Sequence, residues 1–232
     1  MVRLVFGFFL IMTLASAAAQ ETVVLLHGLA RTSRCMGKME RSLEAKGYRV
    51  LNISYPSRKY PAEALARIVR QQIVDANVLA EDAPLHFVTH SLGGIIVRYL
   101  QQHDPLPNVK RTVMLSPPNH GSEVVDTLGR FRLFKMINGP AGSQLGTGDD
   151  GFIAQLDSPD FEVGVITGDR SINLILSLFI SGKDDGKVSV ESARLPGMRD
   201  FRVVHTAHPF IMKNRQVIAA TIRFLEQGRF EE

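Results

Sequence analysis

Three stretches hold the residue types and the order that nucleophilic acyl chemistry needs. They are a serine in "FVTHSLGGIIVRYL" (residues 87–100), carboxylates in "SGKDDGKVSVESARL" (181–195) and histidines in "VVHTAHPF" (203–210). A hydroxyl attacks a carbonyl carbon only when a base takes its proton, and an imidazole base works only when a third group fixes its tautomer and orientation. Ser91 stands where a short apolar run gives way to a helical one, and Gly93 and Gly94 leave room for a sharp turn there. The pattern is one residue away from G-x-S-x-G, because Thr89 occupies the place of the first glycine. A structural role competes with the nucleophilic one, since serine is a favoured helix N-cap.

An oxyanion formed at Ser91 would need two backbone N–H groups aimed at one point. The N–H of Leu92, directly after the serine, supplies one, and the following helix adds its N-terminal dipole. The second is expected from "LLHGLAR" (25–31), where His27 and Gly28 bend the chain and leave the N–H of Leu29 pointing inward. His27 is assigned to shaping that loop, because in the order Ser, acid, His the base follows a later strand. Asp185 is the expected orienting acid, with Asp184 and Asp169 as rivals. His208 is the expected base: it precedes Pro209, taken as a helix start, whereas His205 falls in or at the end of a strand. His120 and Ser122, in a turn with Pro117, Pro118 and Gly121, are assigned to scaffold.

Elements able to position these groups are visible in the hydropathy pattern. Apolar runs of strand length lie at 22–28, 48–56, 85–90, 111–117, 161–168 and 200–206, separated by helical periodicity at 62–79, 92–102 and after Pro209. Strands apolar on both faces and alternating with helices indicate a parallel sheet covered on both sides, a three-layer α/β sandwich with about six mostly parallel strands. Residues 119–159 break the alternation as an insertion between the fourth and fifth strands. A lid over the site and a plain surface loop are both open readings. The apolar stretch "INLILSLFISG" (172–182) is either an acyl-binding wall or lid face, or core.

The chain has 232 residues, fits a single domain, and carries a net charge of +4 from 27 basic and 23 acidic residues. The basic residues are scattered without interleaved aromatics, which speaks against a nucleic-acid partner. Residues 1–19, with Arg3, the apolar run 4–14 and the small residues 15–19, have the form of a signal peptide. The expectation is an exported chain, periplasmic or secreted, with an uncleaved membrane anchor as the alternative. Cys35 is the only cysteine, so no intramolecular disulfide forms; it is expected to be a small buried residue rather than a reactive thiol. No His, Cys and carboxylate cluster has zinc-like spacing, and neither a metal nor a cofactor is expected.

Taken in order, the "HG" loop (27–28), the "THSLGG" elbow (89–94), the acid in "DGKVSVESARL" (185–195) and the histidine in "HPFIM" (208–212) resemble the triacylglycerol lipase and esterase branch of the α/β hydrolase family. The resemblance spans residues 22–228. It implies Ser91, Asp185 and His208 as a catalytic triad and Leu29 and Leu92 as oxyanion donors. It also implies "SPPNHGSEVVD" (116–126) as a pocket wall, and a minimal sheet lacking the first two strands of the full family form. The implied substrate is a small-molecule or lipid ester, with contact at a lipid interface. Acyl transfer, thioester or amide hydrolysis on the same triad, and a catalytically silent lipid- or protein-binding relative, are the alternatives.

Overall fold

A computed structural model describes residues 20–79 and 83–231, and the expected leader lies outside the described residues. Six strands, β1 (Thr22–Leu26), β2 (Arg49–Ile53), β3 (Leu85–His90), β4 (Val109–Leu115), β5 (Glu162–Gly168) and β6 (Asp200–Val204), form one sheet in the order β2-β1-β3-β4-β5-β6. Every neighbouring pair is parallel, so the sheet is wholly rather than mostly parallel.

The two-sided apolarity of the strands explains the layers. Successive side chains point to opposite faces. Val24 and Leu26 of β1 pack with Leu65, Val69 and Ile73 of α2 (Ala62–Asp75) and with Ile95 and Ile96 of α3 (Leu92–His103). Val23 and Leu25 face the other way, against Met39 and Leu43 of α1 (Gly37–Glu44) and Val217 and Phe224 of α8 (Arg215–Gln227). Each such buried side chain contributes about 1.5–3 kcal/mol. The central strands β1 and β3 are buried throughout, whereas the edge strands β2 and β6 are mostly half-buried.

Two helix boundaries differ from the sequence expectation, each for a local reason. Helix α2 stops at Asp75 rather than continuing to 79, because Asn77 adopts a left-handed conformation (φ +52°) that ends the helix. The last helix does not begin at Pro209. Ile211–Lys213 form a single 3-10 turn that buries Ile211 and Met212, and α8 starts after Asn214, whose Oδ1 accepts the N–H of Gln216 (2.8 Å) and of Val217 (3.4 Å). That carboxamide satisfies two orphan donors, which proline cannot do. Cys35 is half-buried rather than buried, and desolvation raises its thiol pKa.

The insertion is structured. It carries α4 (Glu123–Leu128) and α5 (Arg132–Ser143), the latter broken at Gly139 (φ +69°). Arg98 of α3 fastens both of its ends: the guanidinium donates to the carbonyls of Asn119 (3.0 Å) and Leu156 (2.6 Å). Burial lowers the Arg98 pKa to about 10.

Candidate active site

Ser91 sits at the carboxyl end of β3 with φ +53° and ψ −119°, a conformation that a non-glycine residue holds only when its surroundings force it. The force is identifiable. Its N–H donates to the carbonyl of Leu115 at the end of β4 (2.9 Å), and its carbonyl accepts the N–H of Gly94 (2.9 Å). Ser91 occupies the N-cap position of α3, yet its hydroxyl makes no capping hydrogen bond; the side chain lines a cavity instead. Gly28 makes the turn possible from the other side, since a Cβ there would lie 2.7 Å from Nδ1 of His90 and 3.1 Å from Cβ of Ser91. Among the described residues, the N–H groups of Leu29 and Leu92 donate to no protein acceptor. Both are available to a ligand.

The segment between α6 (Leu174–Ser177) and α7 (Val190–Ala193) and the loop after β6 meet at this cavity. Asp185 is fully buried; its Oδ1 accepts the N–H of Lys187 (3.1 Å) and Val188 (3.0 Å), and its Oδ2 lies 2.8 Å from Nδ1 of His208. The N–H of His208 donates to the carbonyl of Asp185 (2.9 Å), so the two loops are tied twice. With Nδ1–H donating to the carboxylate, Nε2 of His208 carries the lone pair. His208 and Ser91 line the same cavity.

The rival groups are placed elsewhere. Asp184 turns its carboxylate to the Ser177 hydroxyl (2.7 Å) and the N–H of Gly186 (2.6 Å), holding the shape of its own loop. Asp169 pairs with the exposed His205 (2.9 Å). His27 is buried, stacked on Tyr55 at 4.1 Å; its Nδ1 donates to the Gly28 carbonyl and its Nε2 accepts the N–H of Tyr55. Both ring nitrogens are therefore engaged in fixing the loop, and burial lowers its pKa. His120 is exposed, and the Ser122 hydroxyl donates to the Lys187 carbonyl, so no second dyad exists at this turn.

One contributor escaped the sequence reading. Nε2–H of His90 donates to the carbonyl of His208 (3.1 Å), with the two rings 4.7 Å apart, so the residue before the serine holds the backbone of His208. Burial, then the charge that His208 would carry, keep the His90 pKa well below its usual value. The signal was present: a histidine ending an otherwise apolar buried strand needs a partner.

The cavity measures about 260 Å³. Val124, Val125 and Leu128 of α4 and Phe134 and Ile137 of α5 form an apolar wall, so the insertion covers the site. The stretch 172–182 is mostly not core: Leu176 reaches the cavity and Ile180 is buried, but Leu174 and Leu178 are 75% and 83% exposed. Arg31 and Lys187 also line the cavity, and among the described residues no carboxylate does. Among the described residues no group of three or more His, Cys, Asp or Glu is placed to hold a metal.

The sequence profile described as the alpha/beta hydrolase family matches residues 23–219. The chain belongs to that family. No curated protein matches this α/β hydrolase in sequence. Among solved structures, the mature lipase BlEst2 of Bacillus licheniformis superposes with a TM-score of 0.68 at 20% identity, covering 91% of this chain and 93% of that one. The esterase RhEst1 of Rhodococcus sp. ECU1013 gives 0.57 at 17% identity, over 90% and 92%. The phospholipase PlaB of Legionella pneumophila gives 0.63 at 22% identity, over 75% of this chain and 46% of that one. At these identities the likeness is one of fold.

Proposed function

We propose that this α/β hydrolase cleaves carboxylic esters through an acyl-enzyme, with Ser91 as nucleophile, His208 as base and Asp185 as the group that orients the base. The observation that carries this is the buried Asp185–His208 hydrogen bond of 2.8 Å, whose histidine lines the same cavity as the strained Ser91. The Ser91 hydroxyl attacks the ester carbonyl carbon while its proton passes to Nε2 of His208. The N–H groups of Leu29 and Leu92 receive the oxyanion. The carbon–oxygen bond to the alcohol then breaks, and His208 returns the proton to the departing oxygen. Water, deprotonated by the same nitrogen, attacks the acyl-serine, releasing the acid and restoring the hydroxyl.

The apolar wall supports a hydrocarbon acyl group. Leu133 and Met136 of α5 and Leu174, Ile175 and Leu178 at α6 are exposed beside residues that line the cavity, which supports contact with a lipid interface. Structural likeness to a lipase and an esterase agrees with ester substrates. The leader-like residues 1–19 support export to the periplasm or the exterior.

Ser91→Ala is expected to lower p-nitrophenyl ester turnover by about a million-fold and to abolish labelling by a fluorophosphonate, with the circular dichroism spectrum unchanged. Retained turnover in the folded variant refutes the triad. A series of p-nitrophenyl esters of increasing acyl length then distinguishes a short-chain esterase from a lipase.

A further inference from the structure

Resting on the ester hydrolase reading, we propose that the leaving alcohol of the substrate carries an anion, phosphate or carboxylate, held by Arg31, Arg58 and Lys59 in a cleft beside the nucleophile. Two spaces share Arg31. One is the apolar cavity with Ser91 and His208; the other is an open cleft of about 750 Å³ whose lining includes Arg31, Arg58, Lys59 and the hydroxyls of Thr32, Ser54 and Ser57. Among the described residues, no carboxylate lines either space and none of the three cations forms an ion pair. Surface basic groups ordinarily find acidic neighbours in a chain with nearly balanced charge; three left together around hydroxyl donors make a receptor for an anion.

The loops are built to keep these groups adjacent. Ala30 holds a left-handed conformation (φ +56°) and donates its N–H to the Ser57 hydroxyl (3.0 Å), pinning the loop of Arg31 to the segment that carries Arg58 and Lys59. That segment in turn lies against the insertion: a Cβ on Gly139 would fall 1.9 Å from the Arg58 carbonyl oxygen, and the Arg58 guanidinium donates to the Ile137 carbonyl (3.3 Å). The cleft therefore adjoins the covered cavity instead of lying on a remote face.

Polarity within the site says which half of the ester bears the charge. The wall formed by α4 and α5 is hydrocarbon and suits the acyl chain. Positive charge gathers on the histidine side, where both Arg31 and Lys187 act on His90, whose ring lies 4.7 Å from that of His208. His208 is the group that protonates the departing oxygen, so an anion attached to the alcohol faces the cations. An anion on the acyl chain would be buried against leucine, valine and phenylalanine without a partner, which is strongly unfavourable.

The test compares kcat/KM for lauroyl glycerol phosphate, lauroyl glycerate and neutral lauroyl glycerol, all as monomers. The wild-type protein is expected to prefer the anionic esters by about tenfold or more, with the preference shrinking as sodium chloride screens the charges. Arg31→Gln is expected to cut the anionic-to-neutral ratio about tenfold, and the double variant Arg58→Gln/Lys59→Gln about threefold. Which anion gives the larger ratio identifies its source as phosphate or carboxylate. A wild-type ratio at or below one, or a ratio unmoved by both variants, overturns the assignment. If a fluorophosphonate still labels Ser91 in that case, the hydrolase reading survives; absence of both labelling and ester turnover overturns the two together.

Discussion

Replacing Asp185 by asparagine tests the arrangement at the point where sequence left three carboxylates in competition. The structure dictates how the new carboxamide must sit. Oδ1 of Asp185 accepts two backbone N–H groups, from Lys187 and Val188, so the asparagine oxygen takes that place and its NH2 is forced into the position of Oδ2. A donor then faces Nδ1 of His208, which must become the acceptor and move its proton to Nε2. The nitrogen that should take the Ser91 proton is thereby occupied, while shape, volume and burial are unchanged. Loss of the correct tautomer costs about four decades in kcat, or about 5 kcal/mol of transition-state stabilisation. Turnover of p-nitrophenyl butyrate by the purified variant, with circular dichroism and a melting curve to show folding, reads the effect. Asp184→Asn is the matched control: its oxygen can still accept from the N–H of Gly186, it does not reach His208, and kcat is expected to stay within about threefold. A folded Asp185→Asn protein retaining more than about a tenth of wild-type kcat would refute the tautomer argument.

Two further expectations follow from packing and burial. Gly28→Ala puts a Cβ 2.7 Å from Nδ1 of His90, displacing both the loop of Leu29 and the residue that holds the His208 backbone; kcat is expected to fall by about a hundredfold with a small change in melting temperature, and near-normal turnover would show that the close approach is unimportant. Burial holds His27, His86 and His90 below the ordinary imidazole value of 6.5, so the unfolded chain binds more protons than the folded one as pH drops through that value. Stability present above 6.5 is then lost at lower pH, and a melting temperature that stays level or rises between about pH 7.5 and 5.5 would contradict it.

Much of this architecture was legible because it rests on local rules. The strands follow from runs rich in β-branched and aliphatic residues, and β1 and β3 are buried on both faces, as a covered parallel sheet requires. Ser91, Asp185 and His208 could be singled out as candidates from sequence because each follows a strand or apolar run and carries its own local motif. What sequence did not reveal depends on partners far along the chain. Arg98 looks like a solvated helix residue until Asn119 and Leu156, 21 and 58 residues away, bring their carbonyls to it. His90 looks like a mere neighbour of Ser91, and its partner lies 118 residues on. The run 172–182 stayed open between a wall or lid face and core for a different reason: hydrophobicity reports preference for an apolar neighbour, and beside a cavity that neighbour need not be protein.

Thr89 shows the same difference between a motif and the space it encodes. The elbow template asks for glycine two positions before the serine because the turn brings that residue against the start of the following helix. Here Thr89 is fully buried, and a Cβ on Gly94 would lie 3.3 Å from its hydroxyl oxygen and 3.2 Å from Cβ of Pro117. The missing side chain has moved across the contact, from the strand to the helix. Gly93 meets a separate demand, since its Cβ would lie 2.8 Å from the Leu26 carbonyl oxygen at the end of β1. The second glycine of "SLGG" therefore compensates for the threonine, and the departure from G-x-S-x-G leaves the strained backbone of Ser91 in place. What the turn conserves physically is the sum of two volumes, so the threonine and the glycine form one unit and neither position can be judged alone.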